Sequence, residues 1–529
     1  MNLVKLMRLR GFTSWLFSRA INTLNYSLLS LTVLFITACG GSAETTEITE
    51  PEPTPISEGT NLSEFAFLAK HNPELDNDVY LEINDNLIVG RVSVKSNVEN
   101  LVATYSHDGA EVVVNGTVQN NSSTGNDFTD IVTYTVKTTD GSQKNYQVDL
   151  TKFTGLPIIY LSTNDNAAIV SKEEYVKGTV VVDGGRDKEN LAQTEMKIRG
   201  RGNSTWYLHP KKPFQMKFGD KSSFLNMPAD KKWLFLAEYS DKTMLRNTIA
   251  FELGYISLLD WTPQSSFAEV YLNGEYNGTY NITQKIEESD NRVAIGDSGY
   301  LLEIDQLDRL DADDVYFYSE DFLINIKEPK LDVASTEYHY IKDMIIEFET
   351  VLHGSQFKDP EVGYAKFIDI DSFIDWYLIS EITKNVDSKF FSSIYLNVIP
   401  GEKIKMGPLW DFDLSFGNVD YADSQYAEGF WVKDHPWYSR LFQDPAFVSK
   451  INERFSYFRD NQHYMLDMID KHAETLKWAQ QENDDKWQTI GVYVWPNPLV
   501  LASYDEEVAH MKNWYIERMN WLENAFKSL

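Results

Sequence analysis

Between Asn61 and Phe153 apolar and polar positions alternate in short runs, among them VYLEIN, ATYSHDG and IVTYTVKTTDGSQKNYQVDL, broken by Asn-Gly, Asp-Gly and Asn-Asn pairs. Alternation with a period of two predicts strands that bury one face, and such pairs predict tight reversals. TYTVKT and KNYQVDL flank Asp140-Gly141 and predict a hairpin there. An immunoglobulin-like β-sandwich over residues 60–153 fits the pattern. No acids, bases or nucleophiles gather in it, which favours a spacer or a carbohydrate-binding module.

Residues 155 to about 310 continue in strands, with signals in TVVV, EMKIRGRG, PFQMKF, WLFLAEY, FAEVYLNGEYNGTYNITQKI and GYLLEID, and with Asn273-Gly274 as a further hairpin turn. One helix interrupts them, predicted from about Asp241 to Glu252, with Ser240 as cap and Gly254 at its end. Beyond about Ser335 the hydrophobic period lengthens to that of helices, in YHYIKDMIIEFETVLHG, DIDSFIDWYLISEITKN, PAFVSKINERFSYFRD and EEVAHMKNWYIERMNWLENAFKSL. A β-rich half at about 155–330 and a helical half at about 335–529 predict two lobes of one α+β catalytic unit, 155–529. Clefts between such lobes are favoured ligand sites.

Composition agrees with a multidomain chain. At 529 residues about three domains are expected, and 43% hydrophobic with 13% aromatic residues argues for folded modules. The first 38 residues differ: Lys5, Arg8, Arg10 and Arg19, no acid, then the apolar LLSLTVLFITAC, which reads as an export signal. Cys39, the single cysteine, follows Ile36, Thr37 and Ala38 and resembles a bacterial lipobox, where the thiol is lipidated and the chain clipped before it. The alternative is an incidental cysteine after a transmembrane anchor. Residues 39–59 combine Gly, Ser, Thr, Glu and Pro and read as a flexible linker from the lipidated end. The expected location is the bacterial envelope, lipid-anchored at the outer membrane or cell surface, with the membrane touched through the lipid only.

The net charge of −31 would become −35 once the signal's four cations are gone. Nucleic acid is thereby disfavoured as a partner. One cysteine excludes intramolecular disulfides, so packing and bound ions must stabilise an exported fold.

The chemistry-bearing residues come late. Helix FIDWYLISEIT ends at Lys384-Asn385, a loop places Asp387, then SSIYLNV and KIKMGPLW read as strands joined at Ile399-Pro400-Gly401-Glu402, and the second empties into Asp411-Phe412-Asp413. The hairpin folds the chain back, so Asp387 can approach Asp411. Helix, loop acid, hairpin, strand-end acid is the order of protein-kinase-like enzymes, in which one Asp handles the acceptor hydroxyl and another holds Mg²⁺ against nucleotide phosphates. On an extended segment Asp411 and Asp413 would project to one side roughly 6 to 7 Å apart. A divalent cation, Mg²⁺ or Mn²⁺, would relieve their repulsion. The alternative is one carboxylate capping a turn and the other pairing with a base.

Complementary charge lies in KIRGRGNSTWYLHPKKPFQMKF, where Gly200 and Gly202 interleave with Arg199 and Arg201 and Lys217 faces away from Phe214, Met216 and Phe218. That arrangement suits a triphosphate cradle; a solvated basic edge strand is the other reading. The nine histidines show no HExxH, and GxSxG and the Walker motif are absent. Carboxylate pairs for glycoside hydrolysis are not singled out.

IRGRGNSTW, KKPFQMKF, YSDKTMLRN, EVYLNGEYNGTYNITQKIE, GYLLEID, NVDSKFFSSIYLN and KMGPLWDFDLSFGN together resemble the CotH kinase family, the spore-coat-protein-H-like atypical protein kinases of secreted and surface proteins, from roughly Leu156 to the C-terminus. The resemblance implies a two-lobed protein-kinase-like fold, ATP with Mg²⁺ or Mn²⁺ as cofactors, and a Ser or Thr hydroxyl of a surface protein as acceptor. It makes Asp387 the catalytic acid with Lys217, gives Asp411 and Asp413 the metal, with Asn397 or Asp413 as second ligand, and sets Arg199, Arg201, Asn203, Lys212, Lys217 and Arg246 toward the nucleotide. Asn247 shares Arg246's motif, and the pair either touches ligand or braces the lobes. Gln284 to Glu287 would lead into the interlobe hinge, and Glu252 would be the helix acid paired with Lys217. Asn385 and Val386 replace the usual HRD residues, and Ser392 stands where an ordinary kinase has its metal-binding Asn. The expected function is an exported kinase; the alternative is a surface scaffold or adhesin that binds glycan or matrix protein.

Overall fold

The computed structural model describes residues 59–75, 77–93, 96–185 and 187–529. The signal, Cys39 and nearly all of the linker lie outside the described residues. Among the described residues no helix is long and apolar enough to cross a membrane.

Residues 59–153 form sheets around one core. A six-stranded sheet runs Glu82–Asn84, Leu87–Ser93, Gln143–Phe153, Val132–Lys137, Glu111–Val114, Thr117–Val118. A three-stranded sheet runs Val79–Tyr80, Leu62–Phe67, Thr104–His107, and a short pair joins Leu101–Val102 to Gly125–Asn126. Phe65, Phe67, Tyr105, Phe128 and Tyr134 meet between them, edge to face or stacked. The predicted hairpin is present, with Val132 opposite Val148 and Gly141 at φ +90° in its turn. Only a residue free of a Cβ takes that conformation readily.

The next seven strands close a barrel: Ile158–Thr163, Val176–Asp183, Leu191–Gly200, Phe214–Phe224, Met227–Leu236, Glu275–Gln284, Ser265–Leu272, the last pairing in parallel with the first at Ile158 and Glu269. Its interior holds Ile198, Phe214, Met216, Phe218, Trp233 and Tyr280, the alternate positions of each strand. The basic Leu191–Gly200 strand is paired on both sides, so it is not an edge strand.

A five-stranded antiparallel sheet follows, Val315–Tyr318, Leu323–Glu328, Tyr300–Ile304, Ile394–Val398, Lys405–Met406. Its strands come from both sides of residue 330, so the β-rich and helical halves share it. Helices Thr336–His353, Ile370–Thr383, Pro445–Asp460 and Tyr504–Lys527 stand where periodicity places them, each with an N-cap side chain accepting from the first turn: Ser335, Asp369, Asp444 and Ser503. Pro436–Leu441, Gln462–Thr475 and Ala479–Trp487 are additional helices.

Two boundaries differ from expectation. The helix expected from Asp241 begins at Arg246 and ends at Tyr255. Asp241 stays outside it because its buried carboxylate collects the N–H groups of Thr243 and Arg246, the Thr243 hydroxyl and the Arg246 guanidinium. The strand expected to reach Trp410 stops at Met406. Gly407 at φ +105° turns the chain and Pro408 has no N–H to extend the ladder.

Candidate active site

Asp387 lies in the short helix Val386–Phe390, which starts after Lys384 ends the preceding helix in the left-handed conformation. Asn385 caps it, its side-chain oxygen accepting from the Asp387 N–H at 3.2 Å. Ser388 donates to the Asn385 carbonyl at 2.6 Å.

The loop of Asp411 and Asp413 is irregular. Asp411 sits at φ +63°, so the expected extended segment with both carboxylates on one side is replaced by a turn. Main-chain bonds hold this loop to that of Asp387: Val386 N–H to Leu414 O at 3.3 Å and Phe416 N–H to Thr383 O at 2.8 Å. Asp387, expected on a loop, thus stands in that short helix, beside the turn of Asp411 and Asp413.

The electrostatics bear the marks of that placement. Burial, then Asp411, raises the Asp387 carboxyl well above the usual range, with Asp413 and Asp305 adding to it and Arg309 opposing. Burial and Asp411 push Asp413 up to about 8. Glu238, buried beside Asp241 and Asp413, is likewise raised, chiefly by burial. Arg201 is the basic side chain set against the acids: burial pushes its guanidinium down, while Asp411, Tyr395, Asp413 and Glu238 favour its charge. It also lies over the Trp410 ring at 5.5 Å.

Arg309 donates to Ser392, whose hydroxyl donates to Asp305 at 2.9 Å. Ser392 therefore tethers an arginine beside Asp387. Sequence reasoning missed Arg309, Asp305 and Glu238. Glu238 and Asp305 each follow an apolar strand directly or nearly so, the same signal that singled out Asp411.

Several expected nucleotide-facing groups have protein partners. Lys212 donates at 2.6 Å to the carbonyls of Trp206 and His209, tying down its own loop. Arg246 is buried and bonded to Asp241 and, from Nε, to Ser415 O at 3.0 Å, so it braces the helix against the aspartate loop. Arg199 lies over the Tyr175 ring, and exposed Asn203 accepts from Lys172. Lys217 is half-buried in the barrel wall opposite Lys197 and Lys232. Glu252 binds Tyr464 and His472 rather than Lys217. Asn397 donates to Gly407 O at 3.3 Å and lines a cavity of about 310 Å³ with Trp261, Ile295 and Met406. Gln284 accepts from Gln264, and Glu287 pairs with Lys232 and Arg292.

The glycines of the arginine loop have local causes. A Cβ on Gly200 would lie 2.4 Å from the Trp206 ring, and Gly202 is at φ +80°. Lys211, unremarked in the sequence, is buried over the Tyr280 ring and donates to Asn483 at 2.8 Å, and burial pushes its amine down to about 7.

The chain after Asp413 is held from inside. Lys384 donates to the carbonyls of Asp423, Tyr426 and Glu428 at 2.7–2.9 Å. Arg518 bonds Ala427 O, Gly429 O and Glu381, and Glu381 accepts from the Trp431 and Val432 N–H groups.

A family model described as "CotH kinase protein" matches residues 198–522. No curated protein matches the chain. Among solved structures, a "putative glycoside hydrolase" from Bacteroides thetaiotaomicron is 12% identical over 50% of this chain and 82% of that one, with a TM-score of 0.14, a likeness too slight to bear on fold or function.

Proposed function

The chain belongs to the CotH kinase protein family, and on that premise we propose that it is an ATP-dependent kinase moving the γ-phosphoryl group onto Ser or Thr hydroxyls of proteins at the cell surface. The observation that supports this reading is the meeting of Asp387 with Asp411 and Asp413 across a short helix and a turn bonded main chain to main chain.

Half-buried carboxylates pressing on one another, with Arg201 and Arg309 set against them, suit a hard divalent cation. Among the described residues no three His, Cys, Asp or Glu side chains are grouped to hold an ion alone. Mg²⁺ and Mn²⁺ fit such a donor set, because one or two carboxylates are completed by substrate phosphates and water. Asp411 and Asp413 would hold the ion, which when bound would neutralise charge on the phosphates. Arg201, rather than Lys217, carries the phosphate-facing charge in this reading.

Asp387 would accept the acceptor hydroxyl's proton as its oxygen bonds to the γ-phosphorus and the bond to the departing ADP oxygen breaks. Burial and the neighbouring aspartates raise its proton affinity, the property a proton acceptor needs, and the charge of Arg309, held by Ser392, counterbalances this. Lipidation of Cys39 would hold the enzyme at the bacterial envelope, with residues 60–153 as an immunoglobulin-like spacer.

Purified chain incubated with labelled ATP, Mn²⁺ and surface extracts tests the reading. Label in a protein band is expected, together with a rise in melting midpoint on adding ATP and Mg²⁺. Neither label nor shift at millimolar ligand would leave a surface scaffold that keeps the fold without the reaction.

A further inference from the structure

The structure assigns Glu238 and Asn247 a joint part in presenting the aspartate pair: Glu238 fixes the side-chain amide of Asn247, and Asn247 holds the main-chain N–H of Phe412, between Asp411 and Asp413. This inference rests on the metal-holding role proposed for that pair.

Asn247 is buried in the first turn of the Arg246–Tyr255 helix. Its Oδ1 accepts from Phe412 N–H at 2.8 Å, and its Nδ2 donates to the Glu238 carboxylate at 3.1 and 3.3 Å. A main-chain N–H can only donate, so the oxygen end of the amide must face Phe412 and the nitrogen end Glu238. Asn281 holds the carboxylate from another side at 3.3 Å and also donates to Thr248 at 3.2 Å.

Glu238 is costly where it stands. It lies at φ +50°, buried, with Asp241 and Asp413 as charged neighbours and Arg201 and Lys211 as the nearby cations. Its hydrogen bonds come from amides, not from a cation. An apolar side chain would fill such a place with less penalty, so strain, burial and like charge retained together point to a directional role.

The loop it serves is tied within itself by Ser415 Oγ, which donates to Phe412 O, and is held by its surroundings as well. Asp411 is left-handed, and the strand has ended before it, Gly407 N–H making a last bond to Tyr395 O at 2.9 Å. Besides the main-chain bonds of Leu414 and Phe416, side chains hold it: Arg246 Nε to Ser415 O, Asn418 Nδ2 to Asp413 O at 3.0 Å, and Asn247 Oδ1 to Phe412 N–H. The third grips the peptide between the two carboxylates, where a tilt swings both.

The test uses the full chain and Mn²⁺ alone, with free Mn²⁺ followed by EPR. N247A and E238A should each weaken Mn²⁺ binding about 10-fold, and E238Q, whose oxygen still accepts from Asn247, should restore it to within about two-fold of wild type. Melting curves identify folded variants; should N247A not fold, E238A against E238Q decides. Unchanged affinity in folded N247A or E238A overturns the inference. So do equal losses in E238A and E238Q, which would trace the effect to charge rather than direction. A wild type that binds no Mn²⁺ removes the metal-holding role itself, and this inference with it.

Discussion

Val386 donates its main-chain N–H to the carbonyl of Leu414 at 3.3 Å, joining the turn that carries Asp387 to the turn that carries Asp413. Because main chain makes the link, the carboxylates can be changed without undoing it. D387A should therefore lower phosphoryl transfer by about 10²–10⁴-fold, while the ATP-dependent melting shift stays as in wild type. D411A should lose the shift as well. Retained turnover in D387A would remove Asp387 from its role.

Arg246 and Asp241 form an ion pair with both partners out of water, at 1% and 0% exposure. R246M leaves the carboxylate buried with hydrogen bonds but no cation, and should cost about 3–5 kcal/mol of stability. Urea unfolding measures it; a loss under about 1 kcal/mol would show that the Thr243 and main-chain donors suffice.

Glu269, 4% exposed on the strand that closes the barrel, has its carboxyl pushed up by burial from 4.5 to about 7. Between those values the folded chain keeps a proton that the unfolded chain has released. Stability contributed by this group is thus full below about pH 4.5, falls as pH rises to about 7 and is level above, by about 3–4 kcal/mol in all. The difference in unfolding free energy between wild type and E269Q should slope across that window. A flat difference would refute the assignment.

Gly200→Ala sets a methyl 2.4 Å from the Trp206 ring, and Gly202→Ala puts a side chain at φ +80°. The first should cost about 1–3 kcal/mol through overpacking, the second about 1 kcal/mol through backbone strain. Melting of both variants checks the order.

The strands were legible where one face alone is buried, as in Val132–Lys137, and the long helices where an apolar stripe repeats, as in Tyr504–Lys527. Ala479–Trp487 was not, because AQQENDDKW has no such stripe; contacts of Asn483 with Lys211 and Thr279 on the barrel hold it instead. Barrel closure was equally hidden, since the parallel pairing of Ile158 with Glu269 joins segments far apart in the chain. The order of Asp387, hairpin and Asp411 could be read from spacing alone. Which cation faces the acids could not: Lys217 and Arg201 look alike in sequence, and only the fold puts Arg201 over Trp410.

The three carbonyls gathered by Lys384, and those gathered by Arg518, lie in the stretch that follows the aspartate loop. Segments in that place can be ordered by a phosphate added after synthesis and seized by arginines. Here the cations come with the chain and their counterparts are main-chain oxygens that no modifying enzyme adds or removes. Order in this segment thus rests on two side chains of the chain's own helices, supplied when those helices fold.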